Sequence, residues 1–176
     1  SGNVAEATLV AVDALRRMGE HAASRSMRLV FEATNHLEMG KFVNTAANHK
    51  RVIELTGRDD IGIQLDFFHV NLEELSAYEA VMDAQPYLWH CHFRDSNSLT
   101  PGYGKTDFRA VMRGLIRTGY MGYCTIESAP MVPSADRSAE DGITYLKLCE
   151  RVARYQLSNE YPNGYAIADH GERASS

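Results

Sequence analysis

Four short apolar runs recur along the chain at intervals of about 30 residues, the length of a strand–helix–strand repeat. They are Leu29-Val30-Phe31-Glu32, Ile63-Gln64-Leu65-Asp66, Trp89-His90-Cys91-His92 and Cys124-Thr125-Ile126-Glu127. Each reads as a buried strand, ends in a side chain able to bind a metal, and precedes a helix-forming segment. The pattern predicts an α/β fold whose parallel strands gather their carboxyl ends on one rim. Three carboxylates and an imidazole converging there repel one another unless a cation sits among them. A single acid after an apolar run is usually just a solvated strand end, but four in succession argue for a divalent metal site.

The remaining segments fit this reading. Helical spacing is expected over 4–22, then a strand over 28–32, and a helix capped by Asn44 and closed by Gly57. A strand over 61–66 precedes a helix capped by Asn71 that carries Leu72, Leu75, Tyr78 and Val81. A strand over 87–93 and a loop over 96–105 lead to a helix capped by Asp107. The last strand spans 123–127 and the last helix 139–155. One helix followed by four βα units is the half of a parallel (β/α) barrel, for which about 250 residues is typical. Residues 1–158 are assigned to this partial barrel and 159–176 to a polar carboxyl-terminal tail. A half barrel leaves two unpaired edge strands. The chain is therefore expected to be the carboxyl-terminal half of a longer protein, its missing amino-terminal half completing the barrel. A homo-oligomer is the alternative.

The net charge of −5 and the scattered basic residues give no footprint for nucleic acid. No apolar stretch approaches the roughly 20 residues that span a bilayer, so no membrane association is expected. Cys91, Cys124 and Cys149 are an odd set without paired spacing, which suits reduced thiols in the cytoplasm.

Strand alternation puts His90 and His92 on one face and Trp89, Cys91 and Phe93 on the other. His92 lies nearer the rim. Gln64 and Thr125 fall beneath Asp66 and Glu127, either as plain interior hydrogen-bonding groups or as groups that orient the ligands. Oxygen donors with one imidazole suit Mn²⁺ best, or Mg²⁺ or Co²⁺.

Several motifs carry a resemblance. Glu32-Ala33-Thr34-Asn35-His36-Leu37-Glu38, Leu65-Asp66-Phe67-Phe68-His69, His90-Cys91-His92-Phe93-Arg94-Asp95-Ser96-Asn97, Pro101-Gly102-Tyr103-Gly104-Lys105-Thr106-Asp107-Phe108 and Gly119-Tyr120-Met121-Gly122-Tyr123 with Glu127 occur in that order. In this the chain resembles the sugar isomerase/epimerase superfamily with a xylose isomerase-like TIM barrel, and within it the ketose 3-epimerases of the D-tagatose and D-psicose kind. The resemblance implies that Glu32, Asp66, His92 and Glu127 hold the metal. It makes Glu32 and Glu127 also the catalytic pair, which moves a proton alpha to a ketose carbonyl through a metal-stabilised enediolate. It makes Glu38 and His69 substrate-binding residues, where position alone makes His69 a surface loop histidine. The implied partner is a small sugar or keto-sugar.

Two departures stand out. Ser98 and His36 occupy positions where an arginine is common, and family members are nearly twice as long. The alternatives are a hydroxypyruvate isomerase, a sugar-phosphate epimerase, an inosose dehydratase-like enzyme, or a non-catalytic half barrel. A phosphate would need a cationic pocket, for which His36, Lys41, Arg94 and Lys105 are the candidates. Asp95 and Asn97 are expected to organise the glycine-rich loop through side-chain to backbone hydrogen bonds.

Overall fold

Val12, Leu15, Gly19 and Ala22 recur every three or four residues and bury one face of the first helix, α1 (Val4–Ala23). The computed structural model describes residues 4–38, 42–162 and 164. After α1 come β1 (Leu29–Glu32), α2 (Ala46–Thr56), β2 (Ile61–Asp66), the two short helices α3 (Phe67–Glu73) and α4 (Ala77–Asp83), and β3 (Leu88–Phe93). Then follow α5 (Phe108–Arg117), β4 (Tyr123–Ile126) and α6 (Ala135–Glu160). The four strands form one parallel sheet in the order β1-β2-β3-β4. Strands in sequence order with helices between them are the half of a TIM-like barrel, as the βα spacing predicts.

The core lies between the sheet and the helices, where Ile53, Ile61, Ile63, Phe67, Val81, Phe108 and Val111 are fully buried. The opposite face of the sheet, which would line the barrel interior, is open: Val30 is 44% and Tyr123 82% exposed.

Local chemistry moves several boundaries. Thr45, not Asn44, caps α2 by accepting from the Asn48 N–H, while Asn44 Nδ2 donates to the Thr34 carbonyl. Gly57 closes α2 in the left-handed conformation at φ 66°. The single helix expected from Asn71 is two. Asp66 itself caps α3, Ser76 caps α4, and Asn71 lies inside α3, where its amide donates to the Phe67 carbonyl and to Thr106. Ser134 caps α6, which runs to Glu160 and so enters the segment assigned to the polar tail. Residues 165–176 of that tail lie outside the described residues.

The facing of Trp89 also differs from simple alternation. Ile63 pairs with Leu88 but Gln64 pairs with His90, so Trp89 is the extra residue of a bulge. Its ring takes the space a side chain at position 62 would need, which requires Gly62, and Arg28 lies 4.5 Å above the ring. Cys91 and Phe93 point into the core as expected.

Candidate metal centre

The sheet register sets the height of each site residue. Glu32 is level with Gln64, Asp66 with His92, and His92 with Thr125. Glu127 follows β4 directly, its N–H donating to the Phe93 carbonyl at 3.2 Å. The ligand positions thus climb along the strands from β1 to β4. Strand tilt in a barrel turns such a stagger into a common level.

Glu32, Asp66 and His92 offer ligand atoms that all lie within 4.8 Å of one another, a group able to hold a metal ion. Glu127 is not in that compact trio, but its Oε2 lies 2.5 Å from His92 Nδ1, the same nitrogen that lies 4.0 Å from Glu32 Oε1. All four residues singled out from the sequence therefore meet at one place.

Asp66 is divided between two tasks. Its Oδ1 accepts from the Phe68 N–H at 2.8 Å and starts α3. Its Oδ2 is buried without a hydrogen-bond partner among the described residues, 3.8 Å from the Arg94 guanidinium and 4.0 Å from His69 Nε2. Burial pushes the carboxyl up to about 7, helped by the charges of Glu32 and Glu127 and opposed by the Phe68 hydrogen bond and Arg94.

The polar layer beneath the ligands is present in a crossed arrangement. Gln64 Nε2 lies 3.3 Å from His92 Nδ1, and Thr125 Oγ1 lies 3.2 Å from His90 Nε2. Burial, then the neighbouring His92, lowers the pKa of His90.

His69 is 6% exposed, which rules out a solvated loop histidine. Burial lowers its pKa against the pull of Glu32 and Glu38. Glu38 reaches the same corner, its Oε2 accepting from Asn35 Nδ2 at 3.1 Å. The sequence motifs assign Asn35 no role, yet it is fully buried and touches both residues. Its signal in the sequence is the Asn-x-x-Glu spacing, which lets one amide cap a turn and hold the glutamate.

Arg94, counted from sequence only as a possible phosphate ligand, is built into the rim. Its guanidinium lies 4.5 Å above the Phe68 ring and donates to Ser98 Oγ at 3.0 Å. Ser98 thus receives an arginine rather than supplying one. The His36 backbone N–H and its Nδ1 both meet Glu73 Oε1 at 2.6 Å, so that ring is engaged by Glu73. Lys105 lines a surface hollow with Ser96, Asn97, Tyr103 and Gly104, and Lys41 lies outside the described residues.

The glycine-rich loop is organised as expected. Asp95, 1% exposed, accepts from the N–H groups of Ser96, Gly102, Gly104 and Thr106 at 2.7–3.0 Å. Asn97 Nδ2 donates to the Tyr103 carbonyl at 2.8 Å.

Residues 2–149 match the family model of the xylose isomerase-like TIM barrel. The chain belongs to this family. Among curated relatives it is 28% identical over 137 residues to the 3-dehydro-D-guloside 4-epimerase of Escherichia coli (strain K12), covering 78% of this chain and 52% of that protein. It is 34% identical over 115 residues to the L-ribulose 3-epimerase of Mesorhizobium japonicum, covering 65% and 38%. Among solved structures, the E. coli 3-keto-D-glucoside 4-epimerase superposes with a TM-score of 0.76 at 26% identity, over 84% of this chain and 56% of that one. The chain thus spans about half the length, or less, of the curated relatives it matches.

Proposed function

We propose that this chain carries the metal-binding and proton-transfer residues of a sugar epimerase acting beside a ketose carbonyl. The observation that carries the reading is the convergence of Glu32, Asp66 and His92 within 4.8 Å, with Glu127 on His92, at the carboxyl ends of four parallel strands. The epimerases among its relatives support it.

The donor set fits a divalent cation. Among the described residues Asp66 Oδ2 is a buried acceptor without a hydrogen-bond partner, and three carboxylates with one imidazole suit Mn²⁺ first, then Mg²⁺ or Co²⁺. When bound, the cation supplies Lewis-acid stabilisation of the charge that develops on the substrate oxygens. Glu32 and Glu127 come from the two outer strands, β1 and β4, so that they approach a substrate on the concave face from opposite sides. In this reading one takes the proton from the carbon beside the carbonyl, and the other returns a proton to the opposite face and inverts that carbon. His69 and Glu38 meet the substrate oxygens.

The charge balance favours an uncharged sugar over a sugar phosphate. Among the described residues this corner gathers Glu32, Glu38, Asp66 and Glu127 against the single guanidinium of Arg94, which Asp66 and Ser98 already engage. A purely structural half barrel, for its part, has no use for a buried carboxylate oxygen without a hydrogen-bond partner.

The open concave face and the two outer strands support completion of the barrel by four further βα units. Assembly with a second copy is the alternative, and a sizing column separates the two. Three free cysteines support a reducing, cytoplasmic setting. Among the described residues no helix is long and apolar enough to cross a membrane.

The test is deuterium incorporation alpha to the carbonyl of D-fructose, D-tagatose, D-psicose and hydroxypyruvate, with Mn²⁺, by the full-length protein. Exchange into the ketoses is expected. Exchange into hydroxypyruvate alone would select the isomerase alternative, and none across the panel would sink the proposal.

A further inference from the structure

Asn35 is fully buried, and every hydrogen-bonding atom of its amide is committed. Its Oδ1 accepts from the backbone N–H groups of Leu37 at 3.0 Å and Glu38 at 3.1 Å. Backbone N–H groups can only donate, so they settle which end of the amide is oxygen. The NH₂ end then faces His69 Nδ1 at 2.7 Å and Glu38 Oε2 at 3.1 Å, two acceptors for two hydrogens.

An amide nitrogen cannot accept. His69 Nδ1 must therefore offer its lone pair, and the one proton of a neutral imidazole must sit on Nε2. The only competing acceptor near Nδ1 among the described residues is Glu38 Oε2 at 3.9 Å, beyond hydrogen-bond reach. Nε2 points the other way, toward the metal-centre residues, and lies 4.0 Å from Asp66 Oδ2, too far to bond it.

We infer that Asn35 is a positioning residue that holds His69 in the Nε2–H tautomer and presents that N–H, together with the Glu38 carboxylate, to a substrate oxygen. One buried amide thereby sets a donor and an acceptor at the same end of the site. His69 is then a hydrogen-bond donor and takes no proton from the substrate. The tautomer follows from the hydrogen bonds alone; what the N–H meets rests on the function proposed above.

The experiment is long-range ¹⁵N–¹H NMR of the histidine rings in the full chain with Mg²⁺, which causes no paramagnetic broadening. The His69 signals are assigned by their absence from His69→Asn. Nδ1 is expected to resonate as a bare nitrogen and Nε2 as a protonated one. In Asn35→Asp the Oδ1 cap survives but the NH₂ becomes an acceptor, so Nδ1 is expected to gain the proton. A protonated Nδ1 in the parent would overturn the inference without any variant. So would a bare Nδ1 in a folded Asn35→Asp. If the parent exchanges solvent deuterium into a ketose, the variant should lose about 100-fold in kcat, the usual cost of removing a donor to a developing oxyanion. Full exchange with the tautomer reversed would end the positioning role. Absence of exchange by the parent would count against the proposed function and leave the tautomer standing.

Discussion

Asp66 faces His92 across the β2–β3 ladder, and its Oδ2 is buried there without a hydrogen-bond partner among the described residues. Its carboxyl is pushed up to about 7 from an ordinary 3.8, first by burial. Between those values the folded chain holds a proton that the unfolded chain has released, so stability falls as pH rises through that window. At about 1.4 kcal/mol per unit the cost reaches roughly 4 kcal/mol above pH 7, before screening and relaxation reduce it.

Asp66→Asn should therefore stabilise the metal-free chain at pH 8, with little effect at pH 4. Added Mn²⁺ should raise the melting temperature of the parent more at pH 8 than at pH 5, and leave the variant unmoved. Thermal melts at these pH values, with Mn²⁺ and with a chelator, measure this. An equal Mn²⁺ response in the variant would remove Asp66 from the site.

Glu127 is 43% exposed at the end of β4, so its replacement costs little structure. Glu127→Gln should keep the melting temperature of the metal-free protein within a few degrees. Its deuterium exchange into a ketose should fall by about 10²–10⁴, the usual contribution of a positioned acid or base. A variant that exchanges at the parent rate would leave Glu127 with no proton-transfer role.

Among the described residues, the excess of carboxylates over the Arg94 guanidinium predicts discrimination by charge. D-fructose 6-phosphate should neither exchange deuterium nor compete with D-fructose in the full-length protein. Competition at the concentration where the free sugar binds would reinstate the sugar-phosphate alternative.

Asp95 makes a separate, structural prediction. Burial pushes its carboxyl up, but the N–H groups of Thr106, Ser96 and Gly104 overcome this and hold it below the usual range. Its stabilisation is present above the unfolded pKa and is lost as pH falls through the lower folded value. Asp95→Ala leaves those donors without their acceptor and should cost about 1–3 kcal/mol, the range for buried groups left unsatisfied. Hydrogen exchange at Gly102, Gly104 and Thr106 should accelerate together. Unchanged protection would show that the loop holds without the carboxylate.

Much of this was legible in the chain itself. Short apolar runs that end in Glu32, Asp66, His92 and Glu127, separated by amphipathic helices, dictate a parallel α/β sheet with its chemistry on one rim, because period and burial are local properties of sequence. The turn roles of Asp95, Asn97 and Gly57 follow from equally local bonding. What lay beyond such reading depends on residues far apart in the chain. The bulge that turns Trp89 onto Gly62 arises from how two strands register. The orphaned Oδ2 of Asp66 exists because the first turn of α3 claims Oδ1 while the core excludes water from the other oxygen. Asn35 and His69 stand 34 residues apart, and only the closing of β1 against β2 brings amide and ring together. Sequence determined which side chains are available for chemistry. Tertiary packing decided their protonation, their tautomers and their partners, because those depend on which donors, acceptors and charges share a volume from which water is excluded.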